Sequence, residues 1–226
     1  MAFRKAFIDS TPVLFAYLFL GIGYGMLMEQ NGYSFVYSFF VSLFTFAGSA
    51  QFAMIPLMVE GMNSIYVFIL IFVINARHIF YGISMNKKYM NTNMMKYYLY
   101  FGLTDETFTV INAHEEDPCE DPKKYYFYLT LLHQLYWVTG SVLGGILGSL
   151  LPFEIIGLDF ILFALFLSVY TSQMKKAKDK LPGLFGLGIT LLALILVRSQ
   201  FVIVSMVLIL ISLVIYEKEH LRRVSS

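Results

Sequence analysis

Charge is scarce in this 226-residue sequence: 14% of its residues are charged and 58% are hydrophobic, with a mean hydropathy of +0.69. An ordinary soluble domain carries about 25% charged and about 45–50% apolar residues, so that class is excluded. Cysteine is nearly absent as well. Cys119 stands alone, which leaves neither a disulfide framework nor a thiolate metal site within one chain. Net charge is +1 at pH 7 and no basic patch interleaves with a readable motif, so no nucleic-acid partner is expected. A His-Glu-x-x-His zinc motif, a Gly-x-Ser-x-Gly elbow and a phosphate loop are all missing. Neither an enzyme nor a cofactor or metal site is therefore expected.

What the chain does have is long apolar runs, several of them uncharged, each long enough to approach the ~30 Å hydrocarbon of a bilayer at ~1.5 Å per residue. The alternating segments of about ten residues that mark a β-barrel are not visible. The fold class is an all-α polytopic membrane protein, a single transporter domain over residues 1–226. Residues 1–11 form a short basic segment, and Thr11-Pro12 suits the start of a first helix over 12–28 that is retained, with no small-residue cleavage site after it. Apolar runs follow at 34–59, 64–85, 125–151, 158–173, 182–197 and 199–216, the last two hinged at Arg198-Ser199-Gln200. Gly21 and Gly25 in the first run, and Gly140, Gly144 and Gly148 at 125–151, have the four-residue spacing that lets another helix approach closely, within the chain or in a second subunit.

Two segments do not fit as simple spans. The run 34–59 is interrupted by Phe46-Ala47-Gly48-Ser49-Ala50-Gln51-Phe52, small and polar where Leu, Ile or Val belongs. Non-helical backbone at membrane depth survives only where protein buries it or it lines a watery cavity. Residues 97–112 are aromatic but hold Asp105 and Glu106. If every run crossed once there would be eight crossings, and Lys87, Lys88 and Lys96 would face outside, against the positive-inside bias. If 34–59 and 97–112 are instead broken or re-entrant half-membrane segments, six full crossings remain, both termini are cytoplasmic and the basic loops all lie inside. Half-segments entering from opposite sides also suit an inverted repeat. Seven or eight crossings stay as the alternative.

Three clusters carry the chemistry: Gly48-Ser49-Ala50-Gln51-Phe52, Asn75-Ala76-Arg77-His78 and Thr104-Asp105-Glu106-Thr107-Phe108. Intramembrane Arg and Asp cost about 2.5–3.5 kcal/mol each on insertion scales and usually face a cavity or an opposite charge. Arg77 is a natural partner of Asp105 or Glu106. The backbone N–H groups of a helix broken near Ser49 suit an anionic group such as a carboxylate, and Asp105 or Glu106 an ammonium or a proton. Gly48, Ser49, Ala50, Gln51, Phe52 and Asn75 are thus candidate substrate-binding residues. Arg77, His78, Asp105 and Glu106 are candidates for gating or proton coupling. Each has a plainer alternative: helix packing for Gly48-Ser49, an interfacial anchor for Arg77, a hydrogen-bonded core histidine for His78, a helix cap for Asp105 and Glu106.

In this order the clusters resemble the AzlC family of branched-chain amino-acid exporters. The matching features are Phe46–Phe52 as written above, Asn75-Ala76-Arg77-His78-Ile79-Phe80-Tyr81-Gly82 and Leu103-Thr104-Asp105-Glu106-Thr107-Phe108. The resemblance implies a multi-pass protein of the bacterial cytoplasmic membrane, the large subunit of a pair with a small hydrophobic AzlD-type partner. It also implies export of leucine, isoleucine, valine or analogues such as azaleucine, driven by the proton-motive force. Rival readings are an exporter of another small amino acid, a non-transporting assembly or regulatory subunit, and a passive channel.

Overall fold

The computed structural model describes residues 1–59, 61, 63–114, 120–151, 159–176 and 179–197, with 201, 204, 205, 207–209, 211, 212 and 216. Among these the chain is helical, without a strand: α1 Ala2–Gln30, α2 Phe35–Phe44, α3 Gly48–Val59, α4 Ser64–Asn75, α5 Arg77–Tyr89, α6 Met95–Phe101, α7 Asp105–Ala113, α8 Pro122–Leu150, α9 Asp159–Lys176 and α10 Leu181–Val197, with a 3-10 turn at Met90–Thr92. Cys119, the Arg198-Ser199-Gln200 hinge and much of the run 199–216 lie outside the described residues. The chain divides into two units, residues 1–165 and 166–226. In the second, Tyr170 of α9 donates to the Gly183 carbonyl of α10 at 3.3 Å. All candidate site residues lie in the first.

The first unit is built on α1 and α8, two 29-residue helices in side-by-side contact. Their glycines meet each other within the chain. A Cβ on Gly25 would run into the Ser141 carbonyl, and one on Gly144 into the backbone of Ile22. Backbone-to-backbone approach of this kind is what small residues at four-residue spacing permit. α1 also starts ten residues earlier than expected, running through Pro12. Its buried stripe Ala2, Ala6, Ser10, Val13, Tyr17 is continuous across the proline, and Ser10 Oγ lies 3.1 Å from the Tyr136 hydroxyl of α8. Tertiary packing of one face outweighs the hydrogen bond that proline removes.

α1 is a described helix long and apolar enough to cross a bilayer, and α4 with α5 passes the same test as one span bent by 43°. That bend was not expected. The run 64–85 is two helices parted at Ala76, where the polar Asn75 and Arg77 interrupt the apolar surface. The run 34–59 is broken too, but at residues 45–47, immediately before Gly48-Ser49, which open α3 instead. The break turns on Phe46, at φ +40°. A left-handed conformation in a bulky residue costs about 1–3 kcal/mol, and burial of the Phe46 ring edge-on to Tyr17 (centroids 6.3 Å apart) helps offset it. The third break, residues 102–104, separates α6 from α7.

Candidate functional site

A helix broken in an apolar surrounding leaves donors and acceptors that need partners. At the first break two glutamines supply them. Gln51 Oε1 accepts from the Ala47 N–H at 3.2 Å and from the Trp137 indole N–H at 2.9 Å, while its amide nitrogen donates to Ser42 Oγ at 3.0 Å. Ser42 in turn donates to Ser141 Oγ at 2.8 Å. Gln134 Nε2 donates to the Leu43 carbonyl at 3.0 Å and its oxygen accepts from Tyr98 at 2.7 Å. Gly48 lies against the Trp137 ring, where a Cβ would come within 2.9 Å. Ala50 and Phe52 are buried, Phe52 edge-on to Tyr24 with centroids 5.6 Å apart.

The breaks bring the first turns of three helices together. Ser49 stands second in α3, Arg77 opens α5 and Asp105 opens α7. Arg77 holds both of the others: one terminal nitrogen lies 2.6 Å from Asp105 Oδ2, the other donates to Ser49 Oγ at 2.8 Å. The ion pair forms with Asp105 and not Glu106. Three polar atoms of this group are buried and have no protein partner: the Arg77 Nε donor and the Asn75 Oδ1 and Asp105 Oδ1 acceptors. His78 places Nδ1 3.1 Å from the Asn75 carbonyl one turn back.

Glu106 belongs to a second group. It accepts from the Tyr17 hydroxyl at 2.6 Å, and Tyr17 also lies 2.8 Å from Thr104 Oγ1. Thr104 caps α7, accepting from the Thr107 N–H at 3.2 Å. The Thr107 hydroxyl reaches His133 Nδ1 at 2.8 Å. Sequence reasoning passed over Tyr17, Ser42, His133 and Trp137 as site residues. For His133 a signal was present, since an ionisable side chain inside a span is a functional candidate by default. For Tyr17, Ser42 and Trp137 there was none. Among the described residues no group of three or more His, Cys, Asp or Glu would hold a metal ion.

The model of the AzlC protein family matches residues 12–151, which include all three breaks and both polar groups. The chain belongs to the AzlC family. A Bacillus subtilis protein named "Branched-chain amino acid transport protein AzlC" is 41% identical over 219 residues, 96% of this chain and 86% of that protein. An uncharacterised membrane protein of Helicobacter pylori is 32% identical, with 96% of each chain covered. The Escherichia coli inner membrane protein YgaZ is 27% identical over 184 residues, 78% of this chain and 75% of its own. No solved structure matches. This AzlC-family chain is a membrane protein whose relatives carry transport or membrane names.

Proposed function

We propose that this AzlC-family protein is the large subunit of a two-component exporter of leucine, isoleucine and valine in the bacterial cytoplasmic membrane, driven by protons and working with a small hydrophobic AzlD-type subunit. The substrate class is taken from the name of the B. subtilis relative. The observation that carries the reading is the set of unpartnered buried atoms around the Arg77–Asp105 pair. An amino-acid zwitterion needs a donor for its carboxylate and acceptors for its ammonium. Arg77 Nε is such a donor, and Asn75 Oδ1 and Asp105 Oδ1 are such acceptors. The first turn of α3, with Ser49 and Gly48, adds its positive end toward the carboxylate. Gln51 and Phe52 serve the site by holding the break open against α8 and α1, and Ala50 by letting α3 pack closely. Substrate competes for both members of the ion pair, so its arrival loosens the contact between α5 and α7; that is the gate.

The test is efflux of preloaded labelled leucine, isoleucine and valine from proteoliposomes, with and without the small partner, under imposed pH gradients. Efflux should require the partner and follow the gradient. Asp105→Asn, which removes one charge-assisted contact worth about 1.5–3 kcal/mol, should slow it roughly tenfold to a hundredfold. No flux of any of the three from an intact complex would reject the substrate class, and flux indifferent to the gradient would reject proton drive.

A further inference from the structure

Beyond the substrate site, the structure holds a buried histidine that transport of the amino acid itself does not use. His133 lies in the middle of α8 with no exposed surface, and its Nε2 has no protein partner. From its Nδ1 a line of hydroxyls runs without a gap: 2.8 Å to Thr107 Oγ1, 3.1 Å on to Thr104 Oγ1, 2.8 Å to the Tyr17 hydroxyl, and 2.6 Å to Glu106 Oε2. Each intermediate member is a hydroxyl, with one hydrogen to give and lone pairs to receive, which is what a hydrogen-bond relay requires. Tyr17, Thr104 and Thr107 are buried, while Glu106 is partly exposed. The chain therefore joins an enclosed base to an accessible acid.

We infer that Glu106 and His133 are the two ends of a proton-transfer chain through Tyr17, Thr104 and Thr107, with His133 as its transient internal proton acceptor. The step balances by one bond exchange at each member. A protonated Glu106 gives its proton to the Tyr17 oxygen, Tyr17 gives its own to Thr104, Thr104 to Thr107, and Thr107 to the Nδ1 lone pair of His133. Glu106 ends as carboxylate, His133 as imidazolium, and the three hydroxyls are restored with their hydrogen bonds reversed. The titratable rings packed on His133 are Tyr17 of α1 at 5.8 Å and Tyr136 of α8 at 6.4 Å between centroids. Glu106 follows Asp105 in the first turn of α7. The charge it gains or loses therefore changes the field at the Arg77–Asp105 pair, which links proton movement to the gate.

The inference rests on the exporter reading above, and its test separates the two. Proteoliposomes containing the complex with its small subunit are assayed for exchange of labelled against unlabelled leucine without a gradient, and for efflux driven by a pH gradient. His133→Gln and Thr107→Val should lose at least about tenfold in gradient-driven efflux, the scale of one positioned proton-transfer group, while exchange persists. Thr107→Ser, which keeps the hydroxyl, should restore coupling. Gradient-driven efflux that survives in either His133→Gln or Thr107→Val would overturn the chain. A parallel loss of exchange and gradient-driven efflux in His133→Gln and Thr107→Val would make these residues structural and overturn it too. Wild-type complex that exchanges leucine but whose net efflux ignores the pH gradient would instead reject proton drive itself, and the chain with it.

Discussion

At the scale of single residues, the polar side chains fall into two kinds of work. Gln51 and Gln134 answer the backbone that the first break exposes, and their amides are engaged on both sides. Gln51→Leu would leave the Ala47 and Trp137 donors without that acceptor, at about 1–3 kcal/mol for each buried orphan. Its melting temperature in detergent should fall by more than that of Trp137→Phe, which removes a donor and leaves Gln51 bonded to Ala47. Arg77 does the other kind of work. Its planar fork spans Asp105 and Ser49 at once and keeps Nε for a third group. An ammonium has the same charge without that geometry. Arg77→Lys should therefore assemble with the proposed small subunit, as read by co-purification, yet lose most leucine efflux.

At the scale of elements, the contrast between the two long helices and the three broken ones organises the first unit. α1 and α8 are uninterrupted supports pressed together at glycines; α2–α3, α4–α5 and α6–α7 each stop where a polar residue must be presented. The glycine contact is testable because its steric demand is absolute. Gly144→Ala places a methyl into the Ile22 backbone, which has no rotamer to yield. Overpacking of this sort costs about 1–3 kcal/mol and should lower the melting temperature. Gly82→Ala in α5 is the control: its Cβ would meet only the Tyr100 ring at 3.8 Å, an ordinary contact. Removing a helix-interior glycine there should leave stability unchanged or raise it by up to about 1 kcal/mol.

At the scale of the whole molecule, the arrangement in the membrane follows from how the broken pairs are threaded. We propose six crossings, with the α2–α3 and α6–α7 pairs re-entrant from opposite sides and both termini cytoplasmic. The exposed Lys87 at the end of α5 reports on it. In a Cys119→Ser background, Lys87→Cys should react with a membrane-impermeant maleimide in inside-out vesicles and stay unlabelled in intact cells. Labelling from outside would reject the six-crossing arrangement and favour eight.

Much of this was legible in the chain itself. Low charge and long apolar runs are sums over local composition, so the all-helical membrane class needed no contact to be known. The glycine spacing marked where helices touch, and the three polar clusters marked where an apolar pattern fails, because each is a local departure from its neighbours. The exact place of a break was not local. Phe46 has no propensity for a left-handed backbone, and it adopts one where Tyr17, twenty-nine positions away, packs on its ring. Nor did the sequence distinguish Asp105 from Glu106 as the partner of Arg77, since adjacent carboxylates differ only in the direction the first turn of α7 sends them. His133, Thr107, Thr104, Tyr17 and Glu106 come from α8, α7, its cap and α1. Their alignment exists because glycine contacts bring α1 against α8 and both hold the start of α7, and hydrogen bonds between residues so far apart in the chain are decided by packing.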